Sequence, residues 1–258
     1  MAAPEPPHLW PWRVGTIAVL AVAWVAATGS GLVPAVFLPS PADLWDSGVD
    51  LVTEGYKDRP LLDHIGFSLL RVFAGFGAGA LLGTALGLLM GWRGWIDALF
   101  APFIEFLRPL PQLAYLLLLI IWLGIGEAPK ICLLFLAALP VAAVAARDGV
   151  RRADLTRLAA ARTLGASEWQ VFRHVVLPSA LPDILIGARL ALGIVYGTLI
   201  AAEIIAGSTG LGWMIVDAGR FLRSDYVFVG IGMIGLTGIA IDRALLLLER
   251  RVVHWAGR

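Results

Sequence analysis

Residues 68–91 read SLLRVFAGFGAGALLGTALGLLMG, an apolar run long enough to span a membrane as a helix. Arg71 is the only charged residue within it, and glycine recurs at every fourth position, at Gly75, Gly79, Gly83, Gly87 and Gly91. Because residues four apart share one face of a helix, the glycines form a groove that a neighbouring backbone approaches closely. The groove serves either static packing or a contact that slides during transport, and the small-residue rule favours static packing.

The composition places this run in an integral membrane protein. Of the 258 residues, 59% are hydrophobic and 15% are charged, against roughly 45–50% and 25% in soluble domains. A net charge of +1 argues against nucleic acid as a partner, and the single cysteine, Cys132, excludes an internal disulfide. Neither Lys57 nor Lys130 stands in a G-x-x-x-x-G-K-[ST] pattern, so no P-loop for ATP is predicted.

Six apolar segments predict an all-α, polytopic protein whose single transmembrane domain covers residues 1–258. The segments lie at about 14–33, 66–91, 99–124, 130–146, 182–206 and 227–248. The first lacks a convincing small-residue cleavage site, which favours a retained membrane helix over a signal peptide. Arg108, Pro109 and Pro111 interrupt the third, which predicts a broken or kinked helix there.

The distribution of basic residues predicts that both termini are cytoplasmic. With that orientation, eleven basic residues lie inside and five outside. The inside set is Arg13, Arg93, Arg147, Arg151, Arg152, Arg157, Arg162, Arg173, Arg250, Arg251 and Arg258, and the outside set is Lys57, Arg59, Lys130, Arg220 and Arg223.

The longest inside loop, residues 147–181, predicts a helical hairpin at about 150–178. Leu155, Leu158 and Ala161 recur with helical spacing, Gly165 breaks the helix, and a second helix with a cap near Ser167 runs to Leu177-Pro178. Such a hairpin either docks a cytoplasmic partner or lies on lipid headgroups, and its composition alone leaves both interpretations open.

The pattern from Ala159 to Gly165, followed nine residues later by Val175-x-Leu177-Pro178, resembles the EAA loop of ATP-binding-cassette importer permeases. One departure is Ala159, where the family has glutamate. Residues 37–41, 68–91, 107–130 and 201–215 are similar to the nitrate, sulfonate and taurine branch, and the stretch after residue 187 is especially similar to taurine permeases.

The resemblance implies the type I importer permease fold and a function in moving taurine or a related small sulfonate into the cytoplasm. It implies no catalytic site, no metal and no bound cofactor in this chain; two copies of a separate ATPase would bind ATP and Mg²⁺. Further implied partners are a second permease copy, an external substrate-binding protein and the membrane. The residues implied to couple to the ATPase are Leu158, Ala159, Ala160, Ala161, Arg162, Gly165, Ala166, Leu177 and Pro178.

Charged residues at membrane depth must face a cavity, a partner charge or the interface. Interfacial snorkelling is expected for Arg71 and Arg243. Candidate pathway residues are Gln112, Tyr115, Trp122, Arg189 and Glu203. For Arg189 and Glu203, ion pairs within a dimer interface are favoured over contact with the solute.

Other functional classes fit the sequence less well than an importer permease. A secondary transporter needs a relay of ionisable groups or an inverted repeat, and neither is evident. A membrane-embedded enzyme is disfavoured because the four histidines, His8, His64, His174 and His254, lie on both sides of the membrane and show no ligand spacing. Within the importer branch, alkanesulfonate and nitrate remain alternatives to taurine.

Overall fold

The computed structural model describes residues 9–31 and 33–253, and helices dominate those ranges. The ends of the predicted domain, including His8, His254 and Arg258, and the end of the first predicted span at Leu32 lie outside them. The helices are α1 (Trp10–Gly29), α2 (Pro41–Thr53), α3 (Leu61–Trp92), α4 (Gly94–Leu107), α5 (Gln112–Leu123), α6 (Glu127–Arg151), α7 (Leu155–Thr163), α8 (Glu168–Val171), α9 (Leu177–Ala206), α10 (Leu211–Arg220) and α11 (Ser224–Val252), with a π-helical segment at Phe172–Val176.

The long apolar helices coincide with the predicted spans. Among the described residues, five helices are long and apolar enough to cross a membrane, or six if α4 and α5 form one bent span. The five are α1, α3, α6, α11 and the continuous stretch Glu168–Ala206, which includes α9. The prediction of an all-α membrane protein with six spans is therefore confirmed.

The third predicted span is sharply bent. Helices α4 and α5 meet at an angle of 102°, at the break that contains Pro109 and Pro111. Pro111 has φ −66° and ψ 121° and precedes the first residue of α5, an extended conformation that a helix cannot continue through. The expected break is confirmed, and it redirects the chain far more than a kink in a single helix would.

The glycine groove of α3 holds the backbone of α6. A Cβ atom added to Gly79 would lie 2.6 Å from the carbonyl oxygen of Phe135, and one added to Gly83 would collide with the carbonyl oxygen of Leu139. A Cβ atom added to any of the other groove glycines of α3, namely Gly75, Gly87 and Gly91, would also collide with α6. The groove therefore has a packing role, since only glycine permits this separation of the two backbones.

Helix α9 completes the centre of the bundle against α3 and α6. Its buried side chains Leu192, Val195 and Leu199 pack with Val72 and Leu134 of those two helices. No residue of α1 is fully buried, and Trp24, which donates from Nε1 to the carbonyl oxygen of Pro39 (3.1 Å), is half-buried near its end. The fold thus has a three-helix centre with more loosely attached helices around it.

Two shorter helices, α2 and α10, were not predicted. Helix α2 begins with a capping box, in which the backbone N–H of Asp43 donates to Ser40 Oγ (3.2 Å) and that of Ser40 to Asp43 Oδ2 (2.8 Å). The signature Ser-Pro-Ala-Asp is legible in the sequence. Helix α10 begins after Gly210, whose φ of +115° suits glycine alone.

The prediction that Leu177 and Pro178 end the second hairpin helix is wrong. Helix α8 continues through the π-helical segment into α9, and the N–H of Leu177 donates to the carbonyl oxygen of Phe172, five residues earlier. A proline within a regular helix clashes with the preceding turn, and a wider turn relieves that clash. The Ser179 hydroxyl donates to the carbonyl oxygen of Val175 (2.7 Å), a further interaction that satisfies this stretch of backbone.

Replacing Gly83 by leucine is expected to destabilise the protein by about 1–3 kcal/mol, because the side chain must displace the α6 backbone. The measurement is the apparent melting temperature of the purified protein in detergent. Gly77→Leu is the matched control: it lies on the same helix, and a Cβ there has no neighbour within 4 Å. Equal melting temperatures for the two variants would contradict the close contact.

Candidate functional site

The hairpin of residues 150–178 projects from the end of the bundle where α3 and α6 finish and α9 begins. Asp154 caps α7 by accepting a hydrogen bond from the Thr156 backbone N–H at 2.8 Å, which lowers the pKa of that carboxyl group. Gly165 has φ +82°, and Ser167 and Gln170 form a capping box at the start of α8. The predicted helix–glycine–helix arrangement is therefore present.

Part of the predicted coupling set faces the bundle instead of the surroundings. Leu158, Ala161 and Ala166 are half-buried and pack on a cluster that contains Val171 and Val176. Leu88 and Trp92 of α3 pack on the same cluster. These contacts fix the hairpin to the ends of the neighbouring spans, so these three side chains face the bundle and position the hairpin.

The face turned away from the bundle has a different composition. Ala159, Ala160, Arg162 and Gly165 are exposed, whereas Leu177 and Pro178 are half-buried in the first turn of α9. Three large apolar side chains, which the predicted set omitted, are 79%, 88% and 65% exposed: Leu155, Leu164 and Trp169. Leu155 is exposed although it shares helical spacing with the half-buried Leu158 and Ala161.

Ion pairs and basic side chains stiffen and charge the hairpin. Arg162 Nε donates to Glu168 Oε1 at 3.0 Å and so joins the two helices across the Gly165 turn. On one side of the hairpin, an open cleft of about 670 Å³ is lined by side chains that include Arg152, Arg157 and His174. The hairpin therefore presents exposed apolar side chains beside arginines, of which Arg152 pairs with Asp183 and Arg157 with Asp154.

At the opposite end of the bundle lies a buried ionic network centred on Arg71. Its side chain is 0% exposed, and all five of its N–H donors have partners. Nη1 donates to Glu203 Oε1 (2.6 Å) and to the Thr209 carbonyl oxygen (2.9 Å), and Nε donates to Glu127 Oε2 (2.5 Å). Nη2 donates to Glu127 Oε1 (2.8 Å) and Thr209 Oγ1 (3.1 Å), so the expectation that Arg71 snorkels to the interface is wrong.

Glu203 is equally enclosed, with no exposed side-chain surface. Besides Arg71, its carboxylate accepts from Ser68 Oγ (2.8 Å) and from the backbone N–H of Gly212 (2.8 Å). The ion pair joins α9 to α3 within one chain. Glu203 is thus enclosed within this chain and is not exposed on a pathway wall.

The same network holds the start of α10. The backbone N–H of Gly210 donates to His64 Nδ1 (3.2 Å), and that of Leu211 donates to Ser68 Oγ (2.9 Å). The first N–H groups of a helix lack partners within the helix, and here α3 and α9 supply them. The network therefore fixes the turn at residues 207–210 and the direction of α10.

Next to α10, a smaller polar group lies outside the spans. Asp217 Oδ2 accepts from Tyr56 Oη (2.8 Å) and pairs with Lys57 Nζ (2.5 Å). Burial raises the pKa of Asp217, but these two donors outweigh it and hold that pKa below its ordinary value. The loop at residues 54–60 is thereby tied to α10.

The remaining pathway candidates do not converge on one site. Arg189 donates to Asp242 Oδ1 (2.9 Å) and pairs with Glu249 (3.5 Å), which links α9 to α11 within the chain. Gln112 and Tyr115 are half-buried on α5, whereas the Trp122 side chain is 71% exposed. In the part of the chain that the structure describes, no cluster of His, Cys, Asp or Glu suits a metal ion.

The described chain is thus a bundle of five or six candidate spans with a hairpin at one end and a buried ionic network at the other. Residues 79–254 match the family described as "Binding-protein-dependent transport system inner membrane component", and the chain belongs to that family. It is therefore the membrane-spanning permease of an ABC importer, a translocation subunit that works with an ATPase and a substrate-binding protein.

The sequence is similar to several curated permeases over almost its full length. It is 40% identical to the taurine transport system permease protein TauC of Escherichia coli (strain K12), covering 95% of this chain and 89% of that one. It is 35% identical to the aliphatic sulfonates transport permease protein SsuC of Bacillus subtilis (strain 168), covering 95% and 88%. Identity to the nitrate import permease protein NrtB of Synechocystis sp. is 30%, covering 92% and 87%.

Solved structures share the fold. A histidine-bound amino acid ABC transporter aligns with a TM-score of 0.60 at 21% identity, over 74% of this chain and 92% of that one. An inward-facing MetNI methionine ABC transporter aligns with a TM-score of 0.57 at 22% identity, over 72% and 95%. The predicted importer permease fold is confirmed by these likenesses.

Replacing Glu203 by glutamine is expected to destabilise the protein by about 3 kcal/mol or more, because Arg71 would lose the buried one of its two carboxylate partners. The readouts are the yield of monodisperse protein and the apparent melting temperature in detergent. Glu54→Gln, which neutralises an exposed carboxylate, is the control. A Glu203→Gln protein as stable as this control would show that the pair is not required for folding.

Proposed function

We propose that this chain carries taurine or a related small sulfonate across the cytoplasmic membrane, inward, at the expense of ATP hydrolysed by a partner subunit. The likeness to TauC over 95% of the chain is the observation that supports this substrate class. Alkanesulfonate and nitrate are the alternatives, since permeases named for those solutes are also similar.

The hairpin is proposed as the contact with the ATPase. Its exposed apolar side chains Leu155, Leu164 and Trp169 would enter a complementary cleft, and the exposed Ala159, Ala160 and Arg162 would lie along the cleft wall. Leu158, Ala161 and Ala166 would transmit the movement, because they pack on the inner ends of the spans. One set of hairpin side chains is exposed and another packs on the spans, and this arrangement supports docking to a protein over adsorption to lipid. Adsorption to lipid would not require the fixed turn at Gly165 or the ion pair between Arg162 and Glu168.

The assembly that follows is a homodimer of this chain with two ATPase copies and an extracytoplasmic binding protein. The ATPase copies would hold ATP and Mg²⁺, and this chain would bind neither. Closure of the ATPases would rock the two bundles between inward- and outward-facing states. The chain's arginine-rich end, which carries the hairpin, is then cytoplasmic, and so are both termini.

Uptake of radiolabelled taurine by cells that carry this permease with its own ATPase and binding protein is the direct test of substrate. The proposed function predicts saturable uptake that disappears when the permease is omitted. Uptake of nitrate in the absence of taurine uptake would transfer the assignment to the alternative.

Gly165→Val is expected to reduce uptake strongly, by about tenfold or more, because a β-branched residue strains a turn with φ +82°. No neighbour lies within 4 Å of a Cβ at this position, so the effect would come from the backbone alone. Gly165→Asn is the matched control, since asparagine tolerates this conformation, and it should retain most uptake. Equal uptake by both variants, with normal recovery of the ATPase in a pull-down, would contradict the coupling role.

Thiol labelling tests the proposed orientation. In a Cys132→Ala background, a Glu54→Cys protein is expected to react with an impermeant thiol reagent in intact cells, and a Glu168→Cys protein only after permeabilisation. Both positions are exposed, so a difference in labelling would report the side of the membrane. The Cys132→Ala protein alone controls for background, and the reverse pattern would overturn the orientation.

A further inference from the structure

We infer that Arg71 and Lys130 form a binding site for the anionic group of the transported solute, and that the Glu127 carboxylate occupies this site until the solute displaces it. The inference rests on the proposed function, because it requires a solute with a sulfonate or similar oxyanion. It assigns the ligand-binding role to residues that none of the pathway candidates included.

The two carboxylates that neutralise Arg71 are held very differently. Glu203 is 0% exposed and is fixed by Ser68 and by the backbone of Gly212 as well as by Arg71. Glu127 is 44% exposed and accepts only from the two cations, Arg71 and Lys130, among the described residues. Glu203 is therefore the permanent partner of Arg71, and Glu127 is the partner that solvent and solutes reach.

Glu127 presents its carboxylate to Arg71 in the geometry of an oxyanion complex. Its Oε2 accepts from Nε at 2.5 Å and its Oε1 from Nη2 at 2.8 Å, so two oxygens lie on one edge of the guanidinium. A sulfonate or a nitrate also offers two coplanar oxygens at similar separation, and this edge of an arginine binds such groups bidentately.

Lys130 supplies donors that Glu127 does not use up. Its ammonium has three N–H donors, its side chain is 3% exposed, and within the described part of the chain it donates only to Glu127 Oε1, at 3.0 Å. A third oxygen, which a sulfonate or nitrate has and a carboxylate lacks, would find a donor here. An anion with three oxygens therefore suits the two cations better than Glu127 does.

The position of Glu127 permits the exchange. It is the first residue of α6 and follows the turn at residues 124–126, where Ile125 is 91% exposed and Gly124 has φ +79°. The Glu127 side chain is 44% exposed, so solvent reaches its carboxylate. The site lies at the end of the bundle opposite the hairpin, which is the end that an external binding protein would meet.

Equilibrium binding of radiolabelled taurine and of nitrate to the purified full-length permease tests the site. Glu127→Gln removes the competing charge and keeps the side chain's shape, so affinity for the anion is expected to rise by about tenfold or more. Adding Lys130→Gln to Glu127→Gln is expected to abolish that gain. Glu105→Gln is the matched control, because Glu105 is also a half-exposed carboxylate near an arginine, Arg147, at 3.6 Å.

Unchanged affinity in Glu127→Gln, or a gain that persists in the double variant, would overturn the inference. If Glu127→Gln does not fold, Lys130→Gln alone is decisive: it should lower anion affinity several-fold, and unchanged affinity would refute the site. Normal taurine uptake with identical anion binding in all variants would refute the anion site and leave the proposed function standing. If taurine uptake is absent but nitrate binding depends on Lys130, the taurine assignment is refuted and the anion site stands.

Discussion

The fold depends on the close approach of two backbones, that of α3 and that of α6. The carbonyl groups of α6 occupy the space that side chains would need at successive glycines of α3, such as Gly79 and Gly83. In a membrane this contact gains nothing from expelling water, because lipid chains are as apolar as the helices, so its stability comes from dispersion forces over a long, closely fitted seam. Helix α9 then packs on this pair, and the hairpin and the buried ionic network are attached to opposite ends of the three.

The ionic network and the helix seam stabilise each other. Arg71 lies one helical turn before the first glycine of the groove, and it reaches Glu127 and Glu203 only because α6 and α9 lie at the distances that the seam sets. Conversely, the four charges of Arg71, Lys130, Glu127 and Glu203 are costly at this depth unless they neutralise and hydrogen-bond one another. A shift of α3 along α6 would separate these groups, so the network fixes the register of helices whose apolar contacts would tolerate sliding.

The sequence specified the helices well and the long-range polar contacts poorly. Span positions follow from apolar length, and the Gly165 turn and the Ser167 cap follow from local rules, so all of these were predictable. The partners of Arg71 were not, because Glu127 and Glu203 lie 56 and 132 residues away and no local pattern records that proximity. The inward packing of Leu158 and Ala161 and the outward direction of Leu155 likewise depend on where α7 begins. The capping signature of α2, in contrast, is a local pattern that can be read from the sequence alone.

The continuity from α8 through the π-helical segment into α9 has a mechanical consequence. Between Val171 and Glu203 the chain is helical without a break, a length of about 48 Å at 1.5 Å per residue. One end of this stretch carries the hairpin, the other carries the carboxylate that holds Arg71, and no loop interrupts the helix between them. A tilt imposed at the hairpin would therefore be carried along one helix to the contacts that Glu203 makes with Arg71, Ser68 and Gly212.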